Sequence, residues 1–146
     1  MKKVIVFGIL FLLITPFFVF AQKSATLYFS SVSSSYTIGQ KVNVSVIVDP
    51  KGQILDTARA VLNFSKDNLQ VENVSLNPIF SAADPDSFYN NADGMVSYAA
   101  GIPGGSDKLS QFLMITLNVK KVGNATISFD NQSIVLSGGE NILSGV

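Results

Sequence analysis

Cysteine, histidine and tryptophan are all absent from the 146 residues. Without cysteine there is no disulfide framework, no thiolate metal site and no cysteine nucleophile. Without histidine the chain loses the commonest general base and the commonest zinc ligand, and no Ser-His or Cys-His pair can form. Without tryptophan it lacks the ring best suited to stacking on a sugar. Charge is also scarce: only 14% of residues are charged, and ten basic side chains balance ten acidic ones. Beyond residue 21 the count is eight basic against ten acidic, a formal net charge of −2. No basic patch is present to suggest a nucleic-acid partner. The last absence is a helical period, because no 3.6-residue apolar repeat persists after residue 21.

What is present begins with a targeting segment. Lys2 and Lys3 precede an apolar run over residues 4–14, which Thr15-Pro16 interrupts. Val19-Phe20-Ala21 then places small residues at −3 and −1 of a cut before Gln22, the pattern of a secretory signal peptide. The alternative is an uncleaved membrane anchor, since residues 17–20 stay apolar up to the cut and the whole run approaches a bilayer span. No lipobox cysteine supports a lipid anchor. Both readings put the following domain in a secreted or cell-surface location, and membrane contact would come only through an uncleaved N-terminal segment. Residues 1–21 are excluded from the fold.

The remainder is long enough for one domain with a substantial core. Its organising stretch is DTARAVLNFSKDNLQVENVSL, residues 56–76. Ala58, Ala60, Leu62 and Phe64 alternate with Arg59, Val61 and Asn63, the period of a half-buried strand. Ser65 to Asn68 carries turn chemistry, and Leu69 and Val71 restart the alternation in a hairpin-like unit. Val42, Val44, Val46 and Val48 form the cleanest strand face, closed by Asp49-Pro50-Lys51-Gly52. Further strands are predicted over residues 26–30, 95–100, 111–121, 125–129 and 133–136, and Ser137-Gly138-Gly139 breaks the last of them before Asn141-Ile142-Leu143. Leu113, Ile115, Leu117 and Val119 point inward in the longest of them. Residues 77–94 read as the longest irregular stretch, with a short strand at Ile79-Phe80 or at Phe88-Tyr89, and residues 102–110 as a loop. Eight or nine short strands separated by Gly, Pro, Asn and Asp define an all-β, two-sheet sandwich, immunoglobulin-like in general appearance.

Four stretches resemble a known family. They are YTIGQKV from Tyr36, AVLNFSKDNLQV from Ala60, QFLMITLNVKK from Gln111 and SIVLSGGENIL from Ser133. Together they make the chain from about residue 25 to residue 146 resemble a cohesin domain, a nine-stranded jelly-roll sandwich related to cellulose-type carbohydrate-binding modules. One departure is the turn after Phe64, where the family often reads Tyr-Asp-Pro and this chain has Phe64-Ser65-Lys66-Asp67. The resemblance implies a non-catalytic protein-binding module. Its partner would be a dockerin, a small calcium-loaded helical domain, captured on the flat outer face of one sheet in scaffolds that attack polysaccharides. The same architecture elsewhere binds sugar directly, and a structural adhesion module is a third reading.

The alternation assigns the outward residues. Arg59, Val61 and Asn63 point out from one strand, Met95, Ser97 and Ala99 from a second, and Met114, Thr116 and Asn118 from a third. The cohesin resemblance puts these three strands in one sheet, where Val61, Met95 and Met114 would form an exposed apolar patch among polar residues, suited to a protein partner. Singly scattered surface apolar residues are, however, ordinary. For carbohydrate, Phe88 and Tyr89 are the candidate contacts; the blander reading has the aromatic rings capping the sandwich core. Asp84, Asp86, Asn90, Asn91 and Asp93 crowd one loop with oxygen ligands, but their spacing does not match a calcium loop, and solvated turn residues are the commoner explanation. No metal or cofactor is therefore expected. No motif supports catalysis, and two acids on one loop do not make a glycosidase cleft.

Overall fold

The computed structural model describes residues 24–30 and 35–146; residues 1–21, expected from the sequence to be a targeting segment, lie outside the described residues. Twelve strands follow one another: β1 (Ala25–Phe29), β2 (Lys41–Asp49), β3 (Leu55–Phe64), β4 (Leu69–Leu76), β5 (Ala82–Ala83), β6 (Phe88–Asn90), β7 (Met95–Ser106), β8 (Ser110–Val119), β9 (Ile127–Phe129), β10 (Ile134–Ser137), β11 (Glu140–Asn141) and β12 (Leu143–Gly145). No helix occurs among the described residues. Five strands form one sheet in the order β12-β1-β2-β8-β4. Seven form the other, in the order β11-β10-β3-β7-β5, with β6 also paired to β7 and β9 to β3. The all-β sandwich expected from the alternation is what forms.

The chain changes sheet at almost every long connection. β2 lies in the first sheet, β3 in the second, β4 in the first, β7 in the second and β8 in the first. The organising stretch is therefore not a hairpin. Its turn is tight, with Asn68 and Leu69 both donating to the Ser65 carbonyl at 3.0 and 2.8 Å, but β3 and β4 leave it into opposite layers. A second difference lies at residues 102–106. Strand β7 continues through Pro103, Gly104 and Gly105 to Ser106, with a register break opposite Leu55 and Thr57. Of the two positions offered for a short strand in the irregular stretch, Phe88 is in one and Ile79-Phe80 is not.

The inward phases hold throughout. Ala58, Ala60, Leu62 and Phe64 of β3, the four valines of β2, and Leu113, Ile115, Leu117 and Val119 of β8 all join one buried cluster. Phe112 is buried beside Leu113 because the register skips it: Gln111 faces Ile47 and Leu113 faces Val46. A bulge of this kind turns two consecutive side chains toward the same layer. Phe80, from the irregular segment after β4, packs edge-on against Phe112 with ring centroids 4.8 Å apart.

One turn ties the second sheet together. Gly94 sits at a φ of +72°, Phe64 N–H donates to its carbonyl at 2.8 Å, and a Cβ placed there would lie 2.6 Å from the Phe64 carbonyl oxygen. Gly39 has a similar φ of +81°, with nothing within 4 Å of a Cβ. Both substitutions to alanine carry the left-handed penalty of about 1–2 kcal/mol, but only Gly94→Ala adds a backbone collision. Urea unfolding should therefore show Gly94→Ala as clearly the more destabilised of the two; equal losses would mean the turn relaxes freely.

Candidate protein-binding face

The outer face of the seven-stranded sheet can be built row by row from the register, since directly paired residues on adjacent strands project to the same side. One row is Leu136, Thr57, Gly101 and Ala82; the next is Ile134, Arg59 and Ala99. Val61, Ser97 and Phe88 form a third, and Ser128, Asn63, Met95 and Asn90 a fourth. Arg59, Asn63 and Phe88 are exposed, while Ile134, Leu136, Met95 and Ala99 are half-buried. Six of the nine sequence-predicted outward residues, Arg59, Val61, Asn63, Met95, Ser97 and Ala99, thus share this surface. Ile134, Leu136 and Phe88 belong to it as well. Their alternation was readable, but nothing in it says that β10 and β6 flank β3 and β7.

Two corrections follow. Met114, Thr116 and Asn118 do not lie on this face, because β8 belongs to the five-stranded sheet on the far side of the core. There they sit in rows with Ser45 and Ser75, Asn43 and Asn73, and Lys41 and Gln70. Around these rows the surface is a polar ladder that largely satisfies itself, and the next row holds Tyr28, Ile47 and Gln111. Thr116 Oγ1 donates to Asn43 Oδ1 at 3.0 Å, Ser45 Oγ donates to Gln111 Oε1 at 3.0 Å, and Lys41 pairs with Glu72 at 2.7 Å. Val61, in turn, points outward as expected but is only 2% exposed. The turn between β9 and β10 holds its backbone: Val61 N–H donates to Ser133 Oγ at 3.0 Å, and Ser133 Oγ and Asp130 N–H both donate to the Val61 carbonyl. Val61 is a buried support of the face, not an anchor on it.

Phe88 and Tyr89 project to opposite sides of β6, as neighbours in a strand must. Phe88 pairs with Ser97 on the outer face, and Tyr89 pairs with the core residue Val96. The Tyr89 hydroxyl reaches across the open edge of the sandwich and donates to the Glu72 carbonyl at 3.2 Å. Beside it, burial first and Tyr89 second push the Tyr98 phenol above its ordinary pKa. The two rings therefore do not form one platform for a sugar. The same edge is clamped by Asn91, whose amide accepts from Val71 N–H at 2.7 Å and donates to the Val71 carbonyl at 2.9 Å, which occupies backbone groups that an edge strand would otherwise expose.

The polar loop after β5 uses its oxygens locally. Asp84 Oδ1 accepts from Asp86 N–H, and Asn90 Nδ2 donates to Asp93 Oδ2. No group of three or more acidic side chains among the described residues is placed to hold a metal. A cavity of about 650 Å³ opens at one end of the sandwich beside Tyr36, Leu69, Val119 and Ile127, and no carboxylate lines it. It therefore offers no acid pair for glycoside cleavage.

No protein-family model matches this chain, and no curated protein matches it in sequence. Solved structures do match. The third cohesin of ScaC from Acetivibrio cellulolyticus, solved in complex with the ScaB dockerin, superposes with a TM-score of 0.70 at 21% identity, covering 84% of this chain and 93% of that one. The solution structure of CaCohA2 from Clostridium acetobutylicum gives a TM-score of 0.70 at 13% identity, over 86% and 87% of the two chains. The cohesin of the Clostridium thermocellum Coh-OlpC–Doc435 complex gives 0.67 at 14% identity, over 87% and 90%. The chain has a cohesin-like fold.

Proposed function

We propose that this chain is a non-catalytic extracellular module that captures a dockerin-type protein on the outer face of the seven-stranded sheet, as part of an assembly acting on polysaccharide. The observation that carries the reading is the contrast between the two sheet faces. One is a largely self-bonded polar ladder around Met114, with Tyr28 and Ile47 at its side. The other gathers Ile134, Leu136, Ala99, Phe88 and Met95 around a single charge, the composition of an interface core with a polar margin. Two of the structural neighbours described above were solved with a dockerin bound, which supports this choice of partner class. Absence of histidine and cysteine, together with a cavity free of carboxylates, supports a binding role over an enzymatic one.

The test is capture by the full chain from the secreted proteins of the producing organism, with and without a calcium chelator, read by mass spectrometry. Retention of a protein with paired calcium loops, abolished by chelation, is the expected result. Retention of polysaccharide with no protein partner would replace this reading by direct carbohydrate binding.

A further inference from the structure

Arg59 is the only formally charged residue in the four central rows of the face, and it stands among Ile134, Ala99, Ser97 and Phe88. Its guanidinium donates one hydrogen bond, to Ser97 Oγ at 3.3 Å. The ion pairs among the described residues are Lys41–Glu72 and Lys51–Asp49, so no described carboxylate neutralises Arg59. The nearby acids are engaged in their own turns. Asp130 accepts from Asn63 Nδ2 and Gln132 N–H, and Asp84 accepts from Asp86 N–H. A five-donor fork is thus left mostly in water at the middle of an apolar surface.

Any protein that covers this surface also removes Arg59 from water. Burying an unpaired guanidinium opposes binding strongly, whereas a planar carboxylate matches its fork with two charge-assisted bonds. We infer that Arg59 selects the partner: the surface that docks here presents a carboxylate opposite the guanidinium, surrounded by aliphatic side chains that meet Ile134, Phe88 and Met95. This inference rests on the docking reading of the face given above and specifies the partner's chemistry within it. A partner with a lysine or arginine at that point is rejected by like charge, so the same residue supplies both attraction and exclusion.

The test uses the full chain as bait and, as probe, a displayed library built on the Acetivibrio cellulolyticus ScaB dockerin with its surface positions randomised. Binders selected on the wild type should converge on Asp or Glu at one shared position. Their affinity should fall about 30-fold or more with Arg59→Ala, the scale of a truncated interfacial charge pair, and further with Arg59→Glu. Arg59→Lys should fall between wild type and Arg59→Ala, because it keeps the charge and loses the fork. Changing the binder's acid to Lys should restore binding to Arg59→Glu. Association should also slow as salt rises. Binders that are lost on Phe88→Asp but hold Arg59→Glu within about twofold would overturn the inference and leave the docking face standing. Binders indifferent to Phe88→Asp, or no binders at all, would overturn both. Arg59 is exposed, and a thermal melt of each variant confirms that the fold is retained.

Discussion

Phe88→Asp should weaken capture of the dockerin-type partner by 100-fold or more, while Met114→Asp should leave it within about twofold. Phe88 is 46% exposed at the end of the row that contains Val61 and Ser97, so its ring is available to a partner and its loss removes little from the core. Aromatic anchors at the centre of an interface commonly carry 2–4 kcal/mol, and about 1.4 kcal/mol corresponds to a factor of ten in affinity. A carboxylate at that point adds desolvation cost to the lost contact. Met114 is the control because it carries the same apolar character on the opposite face of the sandwich, between Ser45 and Ser75. Titration calorimetry or surface-bound kinetics reads both variants. Equal losses would show that the partner touches the five-stranded sheet, and an unaffected Phe88→Asp would remove the outer face of the seven-stranded sheet from consideration.

Phe112→Ala should be among the most damaging single truncations in the domain, costing about 3–5 kcal/mol. The ring is fully buried at the bulge in β8, where it meets Phe80 in an edge-on pair. Removing it deletes apolar burial and leaves a void that the surrounding β-strands, held by their ladders, cannot collapse to fill. Against a total stability of about 5–15 kcal/mol this is a large fraction, and the melting temperature should fall by about 10–20 °C. Phe80→Ala should cost a similar amount. The double variant should show a coupling of about 0.5–1.5 kcal/mol from the ring contact. A loss below about 1 kcal/mol for Phe112→Ala in urea unfolding would mean that the irregular segment carrying Phe80 does not close over the core as described.

The sequence by itself determined the all-β class and, strand by strand, which side chains face inward. Ala58, Ala60, Leu62 and Phe64, the four valines of β2, and Leu113 to Val119 on alternate positions are all in the core, because a period of two admits only one solution once a face is apolar. The outward phase of Arg59, Asn63 and Met95 was legible for the same reason. Periodicity, however, separates inside from outside and carries no label for the sheet. A chain that crosses between layers at most long connections can place β8 beside β2 or beside β7 without changing a single alternation. Only the tertiary pairing sent Met114, Thr116 and Asn118 to the far side and brought Ile134, Leu136 and Phe88 to Arg59.

The same limit applies to solvent. An outward residue is exposed only if nothing packs over it, and Val61 is outward in phase yet 2% exposed, its backbone held by a turn more than sixty residues away in sequence. Phe80 is the converse case, an apolar residue in a stretch without period that becomes core because its loop folds back onto Phe112. Local pattern decides the direction of a side chain because it follows from backbone geometry within a strand. Which surfaces meet, and which are left open for a partner, depends on contacts distant in sequence, and these only the assembled sandwich specifies.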